Sequence, residues 1–510
     1  MKEGFRQSMA WLHNWSGLLI GWLLFAIALT GTAAVFRPET SNWMRPEIAH
    51  HAGPVDQAQA LGAAVSYLSS AGKGAPAWYL TAPDDRAAFT QAIFSLPRGG
   101  DANGYRTLAL DPRTGRPDGI RDTLGGEFFY RFHFELKIPY PWGRILASAA
   151  AMVMLVALIS GIITHRRIFA DFFTLRPRKG QRSWLDAHNA LGVLALPFHL
   201  MITFTGIMTL ITLTMPWAIV ANYGSDMARF YEDMAPGFSA RPALGKAAPL
   251  GDVAAMVRDA RRRMGGQISL VTINNPGDAA ATVTISKHDD GQIAYAAGRV
   301  TYDGVSGRLL SSYAEDRPMR KLYDTFYGLH VGRFGAPVTR WLYFICGLAL
   351  TATIGSGLVL WTVKRSHNGG LGYHLVEKLN IGVVTGLPVA AAAFLWANRL
   401  LPVTMAQRPE GEVRVFFTSW VLMILAGFIL PRRIGWIAGL MLCAAAWLLL
   451  PPLSAWTTGR GMITSLLAGD WQFFGFDAVS LAIGLMFAIA CRHMVRPAPA
   501  ARVPRRMQAA

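Results

Sequence analysis

The chain has 510 residues, of which 52% are hydrophobic and 16% are charged, and its formal net charge is +18. A globular protein has about 25% charged residues, so this composition excludes an ordinary soluble domain and indicates a membrane protein. Many basic residues lie in short clusters beside apolar stretches, which is the positive-inside pattern, so the charge does not require a nucleic-acid partner.

Eight apolar stretches approach or exceed the length of about 20 helical residues that crosses a lipid bilayer, and we predict a span at each. They cover 16–36, 143–164, 190–214, 338–362, 379–400, 415–430, 434–451 and 475–491. Basic loops at every second boundary predict that both termini are cytoplasmic in a bacterial inner membrane. The segments 37–142 and 215–337 are then periplasmic.

The remaining segments follow from the same pattern. Residues 1–36 include the first span, which we interpret as a retained anchor and not a cleaved signal peptide, because a similar stretch occurs in mid-chain. Cytoplasmic loops are expected at 165–189 and 363–378. Residues 379–491 are predicted to form an appended bundle of four helices, and 492–510 a disordered tail rich in proline, alanine and arginine.

Each periplasmic segment is predicted to fold as a small α+β domain. The stretches "YRTLALDPRTGRPDG" and "RVTYDGVSGRLLSSY" both show strand-like alternation on either side of a turn. The turn that begins at Asp111 and ends at Arg116 matches the turn from Asp303 to Arg308.

Longer correspondences join the two halves of the chain. "HNWSGLLIGWLLFAIALTG" begins at His13, and "HNALGVLALPFHLMITFTG" begins at His188. "FFYRFHFEL", with His133, corresponds to "TFYGLHVGR", with His330, and the span after each phrase carries Ser-Gly near its inner end. Residues 1–167 and 185–365 are therefore predicted to be two copies of one unit, packed about a pseudo-two-fold axis. The predicted fold is an all-α membrane bundle of about eight helices, with an internal two-fold repeat and two small α+β periplasmic domains.

The repeat places four histidines in two pairs. His13 and His188 lie at the inner ends of spans one and three, and His133 and His330 lie at the outer entrances to spans two and four. A lone histidine at a membrane surface is typically a hydrogen-bonded anchor, but two-fold packing would bring each pair face to face. A b-type haem requires such an arrangement of two axial imidazoles. We therefore predict two non-covalent haem b groups, because the chain lacks the CxxCH motif of covalent attachment.

Glycines and arginines near the histidines support this hypothesis, and three further histidines are alternative ligands. Glycines are small enough to admit a macrocycle or a second helix, and outer arginines are placed to neutralise haem propionates. The glycines are Gly17, Gly31, Gly192 and Gly206, and the arginines are Arg131, Arg144, Arg333 and Arg340. His199 follows His188 by 11 residues, which on a straight helix puts it about 16 Å away on the same face. It is thus an alternative outer ligand, and His165 and His374 are further alternates.

The sequence resembles the PepSY-associated transmembrane family, of the bacterial iron-uptake reductase kind. The matching features are "LHNWSGLLIGWLLFAIALTG", "DPRTGRP", "FHFEL", "LDAHNALGVLALPFHLMITFTG" and "YGLHVGRFG". The resemblance covers about residues 5–365 and implies a membrane core that holds haem b, with the recurrent histidines of the family at His13, His133, His188 and His330. In some relatives such a protein reduces ferric siderophores in the periplasm.

These observations favour a di-haem b protein that carries electrons outward and reduces a ferric siderophore or other ferric chelate. Its electron donor would be a quinol or a cytosolic flavoprotein, because the chain has no dinucleotide-binding fingerprint. One alternative is a siderophore or metal transporter without redox activity, for which the repeat is also suitable. Another is a passive anchor for sensory or inhibitor-like outer domains, which leaves the membrane histidines unexplained.

Overall fold

A computed structural model describes residues 4–48, 55–95, 104–165, 176, 179–236, 241–289, 291–295, 298–366 and 369–495. Within these ranges, seven helical segments are long and apolar enough to cross a membrane, and a bent pair of helices makes an eighth if it counts as one span. The prediction of a multi-pass helical membrane protein is therefore confirmed.

The elements of the first half follow the predicted order of span, outer segment and span. They are α1 (Phe5–Ala34), α2 (Arg37–Trp43), α3 (Gln57–Ala71), β1 (Ala77–Thr81), β2 (Thr90–Ser95), β3 (Tyr105–Leu110), α4 (Glu127–Glu135) and α5 (Trp142–Thr164).

The second half repeats this order with additional short elements. They are α6 (Gln181–Leu194), α7 (Leu196–Thr209), α8 (Ile211–Thr214), α9 (Trp217–Tyr223), α10 (Met227–Met234), α11 (Val253–Met264), β4 (Ile268–Asn274), β5 (Thr282–Lys287), β6 (Arg299–Asp303), β7 (Leu309–Tyr313), α12 (Pro318–Val331) and α13 (Pro337–Lys364).

The C-terminal bundle consists of helices that follow α13. They are α14 (Leu371–Val384), α15 (Gly386–Leu400), α16 (Arg408–Ile429), α17 (Arg432–Leu448), α18 (Leu450–Thr458), α19 (Met462–Leu467) and α20 (Trp471–Val495). Two helices begin inside segments predicted as loops, α6 within 165–189 and α14 within 363–378. A helix that continues past the apolar region still satisfies its own backbone hydrogen bonds, so polar end residues do not stop it.

The span predicted at 190–214 is broken. Helices α6 and α7 meet at Ala195 with a bend of 68°. Pro197 lies in the first turn of α7, where its missing N–H and its ring prevent the helix from running straight through. A straight-helix extrapolation from His188 to His199 is therefore wrong.

The strands of the two outer segments form one sheet of seven strands, in the order β3-β2-β1-β4-β5-β6-β7. Strand β1 pairs antiparallel with β4, and Tyr79 lies opposite Thr272. We expected two separate small domains. The joined sheet differs because pairing β1 with β4 removes an unpaired edge from each half. Helices α3 and α11 pack on this sheet around a shared apolar core.

The two halves of the sheet have matching helix caps and matching turns. Asp56 caps α3 and Asp252 caps α11 through side-chain bonds to the first-turn amides. In the turns after β3 and β6, the N–H groups of Gly115 and Gly307 donate to the carbonyls of Asp111 and Asp303. Both glycines have φ near +70°, a conformation that disfavours other residues.

The core of the membrane part is a bundle in which α1 packs on α5 and α13, α13 packs on α6, and α5 packs on α7. An apolar layer crosses its middle. Its buried members are Leu24, Ala28, Ala150, Met154 and Leu350. The C-terminal bundle packs against α1, α2 and α4 of the first half and against α13 of the second.

Candidate functional site

The structure brings the four histidines together in the two predicted pairs. At one end of the bundle, His13 of α1 lies beside His188 of α6, with ring centroids 6.3 Å apart and ring planes at 65°. At the other end, His133 of α4 lies beside His330 of α12, with centroids 6.0 Å apart and planes at 25°. We call these the inner pair and the outer pair.

A backbone carbonyl of a neighbouring helix fixes each of the four rings. The Nδ1–H group of each ring donates to one carbonyl: His13 to Ala157 at 2.8 Å, His188 to Thr353 at 2.9 Å, His133 to Ile27 at 2.7 Å and His330 to Ile202 at 3.1 Å. Among the described residues, none of the hydrogen bonds of these rings uses Nε2. Each ring is therefore held as the tautomer whose Nε2 lone pair is available to a metal.

A glycine in the neighbouring helix leaves room for each ring to reach its acceptor carbonyl. Each acceptor precedes a glycine by four residues, one helical turn, and a Cβ atom at that glycine would lie within about 3 Å of the ring. The distances are 2.6 Å at Gly31 to His133, 3.1 Å at Gly161 to His13, 2.9 Å at Gly206 to His330 and 3.1 Å at Gly357 to His188. The Thr-Gly and Ser-Gly motifs of the sequence are therefore the docking points of the four imidazoles.

This finding corrects part of the glycine prediction. Gly31 and Gly206 admit histidine rings and also line the cavity described below, whereas Gly17 faces open space and Gly192 contacts only Thr353. The glycines of the inner pair, Gly161 and Gly357, were not singled out. Their Ser-Gly motifs were visible in the sequence, but their function depends on which helix lies opposite.

A large cavity begins at the outer pair. Its volume is about 1110 Å³, and it extends from an apolar floor between the helices to a polar mouth beneath the shared sheet. The floor includes His133, His330, Ile27 and Ile202, and the mouth includes Gln267, Ser269 and several arginines. Pockets for small ligands have volumes of roughly 300–1,000 Å³, so the cavity is large enough for a bulky group.

The walls of this cavity are partly aromatic. Burial, with Tyr130 and Tyr295 nearby, raises the pKa of Tyr327, so its phenol stays protonated. Of the four arginines predicted to face a cofactor, Arg144, Arg333 and Arg340 line the cavity. Arg131 lies outside the lining, where it is half exposed and pairs with Glu127 and Glu135 on its own helix.

The alternate histidines do not join either pair. The ring of His199 is fully buried and packs against Phe198, and it lies outside the cavity lining. Within the described ranges, neither ring nitrogen of His199 makes a hydrogen bond of standard geometry, although the backbone of Cys346 lies close to the ring. His165 ends α5 close enough to His13 and His188 to interact with them electrostatically. His374 is exposed and lies 4.0 Å from Glu377.

Buried phenylalanines of α4 support His133, and they were not predicted from the sequence. On α4, Phe128, Phe129 and Phe132 are buried against aromatic residues of the C-terminal bundle. Phe128 stacks on Phe394 with centroids 4.5 Å apart, and it meets Phe416 edge-on at 4.8 Å. The spacing of these phenylalanines in "FFYRFHF" was the available signal, because i and i+4 positions share a helix face.

The donor set itself limits which metal group could bind. Within the described residues, no group of three or more His, Cys, Asp or Glu side chains is placed to hold a bare metal ion. Two facing imidazoles with free Nε2 atoms fit an iron whose other ligands come from a macrocycle.

The architecture is that of a multi-pass membrane protein with an extramembrane sheet and two histidine pairs. The chain belongs to the PepSY-associated TM region family, which matches residues 10–364. It is also similar to an uncharacterized protein of Pseudomonas aeruginosa, with 27% identity over 396 residues that cover 74% of this chain and 96% of that protein. Helices α14 to α20 lie beyond the residues that the family matches.

Proposed function

We propose that this protein holds two haem b groups in the inner membrane and carries electrons from the cytoplasm to the periplasm, where it reduces a ferric siderophore or other ferric chelate. The observation that carries the proposal is the facing of His13 with His188 and of His133 with His330. A quinol or a cytosolic flavoprotein would supply the electrons.

The spacing of the rings supports axial ligation. An imidazole nitrogen binds a first-row metal at about 2 Å, which puts the ring centroid roughly 3 Å from the metal, so two axial rings are roughly 6 Å apart. The observed centroid distances are 6.3 Å and 6.0 Å. The outer pair also adjoins the 1110 Å³ cavity, and for the inner pair the fit rests on the spacing and the free Nε2 atoms.

The origin of the ligands supports an internal repeat. In each half, the first histidine docks on the second span of that half, and the second histidine docks on the first span. Thus His13 reaches Gly161 and His133 reaches Gly31, and the same exchange joins His188 to Gly357 and His330 to Gly206. Each half then contributes one ligand to each pair, as expected of two copies related by a pseudo-two-fold axis.

The residues of the chain would orient the imidazoles and exclude water. Bound haem iron supplies one-electron transfer between its ferric and ferrous states. The carbonyls of Ile27, Ala157, Ile202 and Thr353 orient the imidazoles and make Nε2 more electron-rich, and the apolar layer around Leu24 and Leu350 keeps water out. Reduction of a chelated Fe(III) ion by one electron lowers its charge, and therefore weakens its bonds to hard oxygen donors.

Directional electron transfer is the test of this proposal. The haem-loaded protein would be placed in vesicles with a reductant inside, ferric chelate outside and a membrane-impermeant ferrous indicator. We expect ferrous iron outside at a rate that falls at least tenfold in His13→Ala and His133→Ala, because each loses one axial ligand. The exposed His374→Ala is the matched control and should keep the rate. Haem-loaded protein without electron transfer would refute the proposal.

Transport without redox activity is the second candidate. The bend of 68° between α6 and α7 favours it, because transporter sites often lie at broken helices. Uptake of a siderophore or metal by haem-free protein in liposomes would support transport. Uptake that requires haem, or no uptake, would count against it.

A further inference from the structure

The mouth of the outer cavity is positively charged. Six arginines and four carboxylates line the cavity. The arginines are Arg37, Arg45, Arg86, Arg144, Arg333 and Arg340, and the carboxylates are Asp84, Asp85, Glu39 and Glu127. The excess of arginines favours an anionic occupant.

Five of these arginines already have partners. Arg37 pairs with Glu127 at 2.8 Å, and Arg144 pairs with Glu135 at 2.6 Å. Arg86 makes two bonds of 2.8 Å to Glu39. The remaining two bind neutral groups: Arg333 donates to the Tyr295 hydroxyl at 2.9 Å, and Arg45 donates to the carbonyls of Ser41 and Thr123.

Arg340 differs from the other five. It is partly buried, and its guanidinium makes no hydrogen bond or ion pair within the part of the chain that the structure describes. It lies in the first turn of α13, where the helix dipole disfavours a cation, and it is close enough to Arg86 to be repelled by it. A guanidinium in this position has no evident structural role.

The nearby carboxylates make no direct bond to Arg340. Glu39 and Asp84 are close enough to interact with it. However, both oxygens of Glu39 accept from Arg86. In Asp84, Oδ1 accepts from the backbone N–H groups of Arg86 and Ala87, and Oδ2 lies 3.6 Å from His288.

We propose that Arg340 binds a carboxylate at the mouth of the outer cavity. A guanidinium offers two parallel N–H donors, which match the two oxygens of a carboxylate. This inference rests on the proposed function for the identity of the occupant. The carboxylate belongs either to an anionic ferric chelate above the outer pair or to a propionate of a haem held by that pair.

The test uses the full-length, haem-loaded protein and two gallium chelates, because Ga(III) is not reduced and binding is then measured apart from electron transfer. Gallium(III) citrate is the anionic probe, and gallium(III) desferrioxamine B is the cationic probe. The variants are Arg340→Gln and Arg340→Lys. Arg258→Gln is the matched control, because Arg258 is a half-exposed arginine of α11, paired with Asp252 outside the cavity.

If the chelate supplies the carboxylate, Arg340→Gln weakens the binding of gallium citrate about tenfold, which is typical of a lost charge-assisted hydrogen bond. Arg340→Lys should recover part of this loss, and Arg258→Gln should stay within twofold. The cationic probe should not bind more weakly to Arg340→Gln.

If a propionate supplies it, Arg340→Gln leaves gallium citrate binding unchanged but shifts the midpoint potential or lowers the retention of one haem. The inference is wrong if neither binding nor haem properties change, or if Arg258→Gln acts as strongly as Arg340→Gln. Arg340-dependent binding by a protein that reduces no ferric chelate would contradict the proposed function alone. Normal reduction with no effect of Arg340→Gln on either readout would contradict this inference alone.

Discussion

At the scale of single residues, the site depends on pairs formed by a histidine and a glycine. The carbonyl that each Nδ1–H reaches is already bonded within its own helix, so the imidazole must approach from the side. A glycine one turn later is what leaves this side open. The hydroxyls of the adjoining Ser and Thr residues donate to the same carbonyls, as Ser160 does to Ala157. Those of Ser356 and Thr205 also lie 3.2 Å from the Nδ1 atoms of His188 and His330.

Gly31→Ala tests this docking. A Cβ atom there would lie 2.6 Å from the ring of His133, so the ring must move and the outer pair should lose its haem. The matched control is Gly475→Ala in α20, where no neighbour lies within 4 Å and alanine favours the helix by about 1 kcal/mol. We expect one haem per chain in Gly31→Ala and two in the control, measured as pyridine haemochrome. Two haems in both variants would contradict the docking.

At the scale of elements, α4 connects the C-terminal bundle to the outer pair. One face of α4 carries His133, and the other carries Phe128 and Phe132, which contact Phe416. Helix α12, which carries His330, instead leaves Met319 and Leu322 exposed. The outer pair thus joins one histidine on a helix packed against the C-terminal bundle to another on a more exposed helix.

Phe416→Ala should loosen α4. Removal of a fully buried phenylalanine leaves a cavity and costs about 3–5 kcal/mol, which a thermal melt would detect. The outer haem should also bind more weakly, because the helix of one ligand loses its support. Phe428→Ala, at a largely exposed position of the same helix, is the control for both measurements. A lower melting temperature without any change at the outer haem would mean that Phe416 stabilises the fold but does not support the outer pair.

The linker before α12 is predicted to be sensitive to acid. Hydrogen bonds from Arg317 lower the pKa of Glu315 to about 2, from an ordinary value of 4.5. A lowered carboxyl pKa contributes stability above pH 4.5 that is lost as the pH falls toward 2. We expect faster amide exchange around residues 313–318 as the pH falls through this window, after correction for intrinsic exchange. Glu315→Gln should remove this pH dependence, and an unchanged profile would contradict it.

The sequence was informative where a pattern was local or repeated. The histidine pairs followed from the correspondence of two stretches. The docking of His13 on Gly161 was not predictable, because it depends on which helices become neighbours. The pairing of β1 with β4 is also non-local, since Tyr79 and Thr272 lie nearly two hundred residues apart in the chain.

At the scale of the whole molecule, the shared sheet holds the two halves together outside the membrane bundle. The two halves follow one another along the chain, but each histidine pair takes one histidine from each half. A single haem at either pair would therefore also join the halves. We expect haem loading to raise the thermal midpoint of the wild-type protein, since a ligand bound to the folded state stabilises it. No difference between loaded and haem-free protein would count against this arrangement.

The central claim is that both histidine pairs bind haem, and its most direct test is the haem content of the purified protein. The measurement is a dithionite-reduced minus oxidised visible spectrum, with a pyridine haemochrome titration of protein expressed with ample haem. The account predicts b-type bands, two haems per chain in the wild type, and one in either His188→Ala or His330→Ala. A spectrum without haem bands, or a content that none of the four histidine substitutions changes, would contradict it.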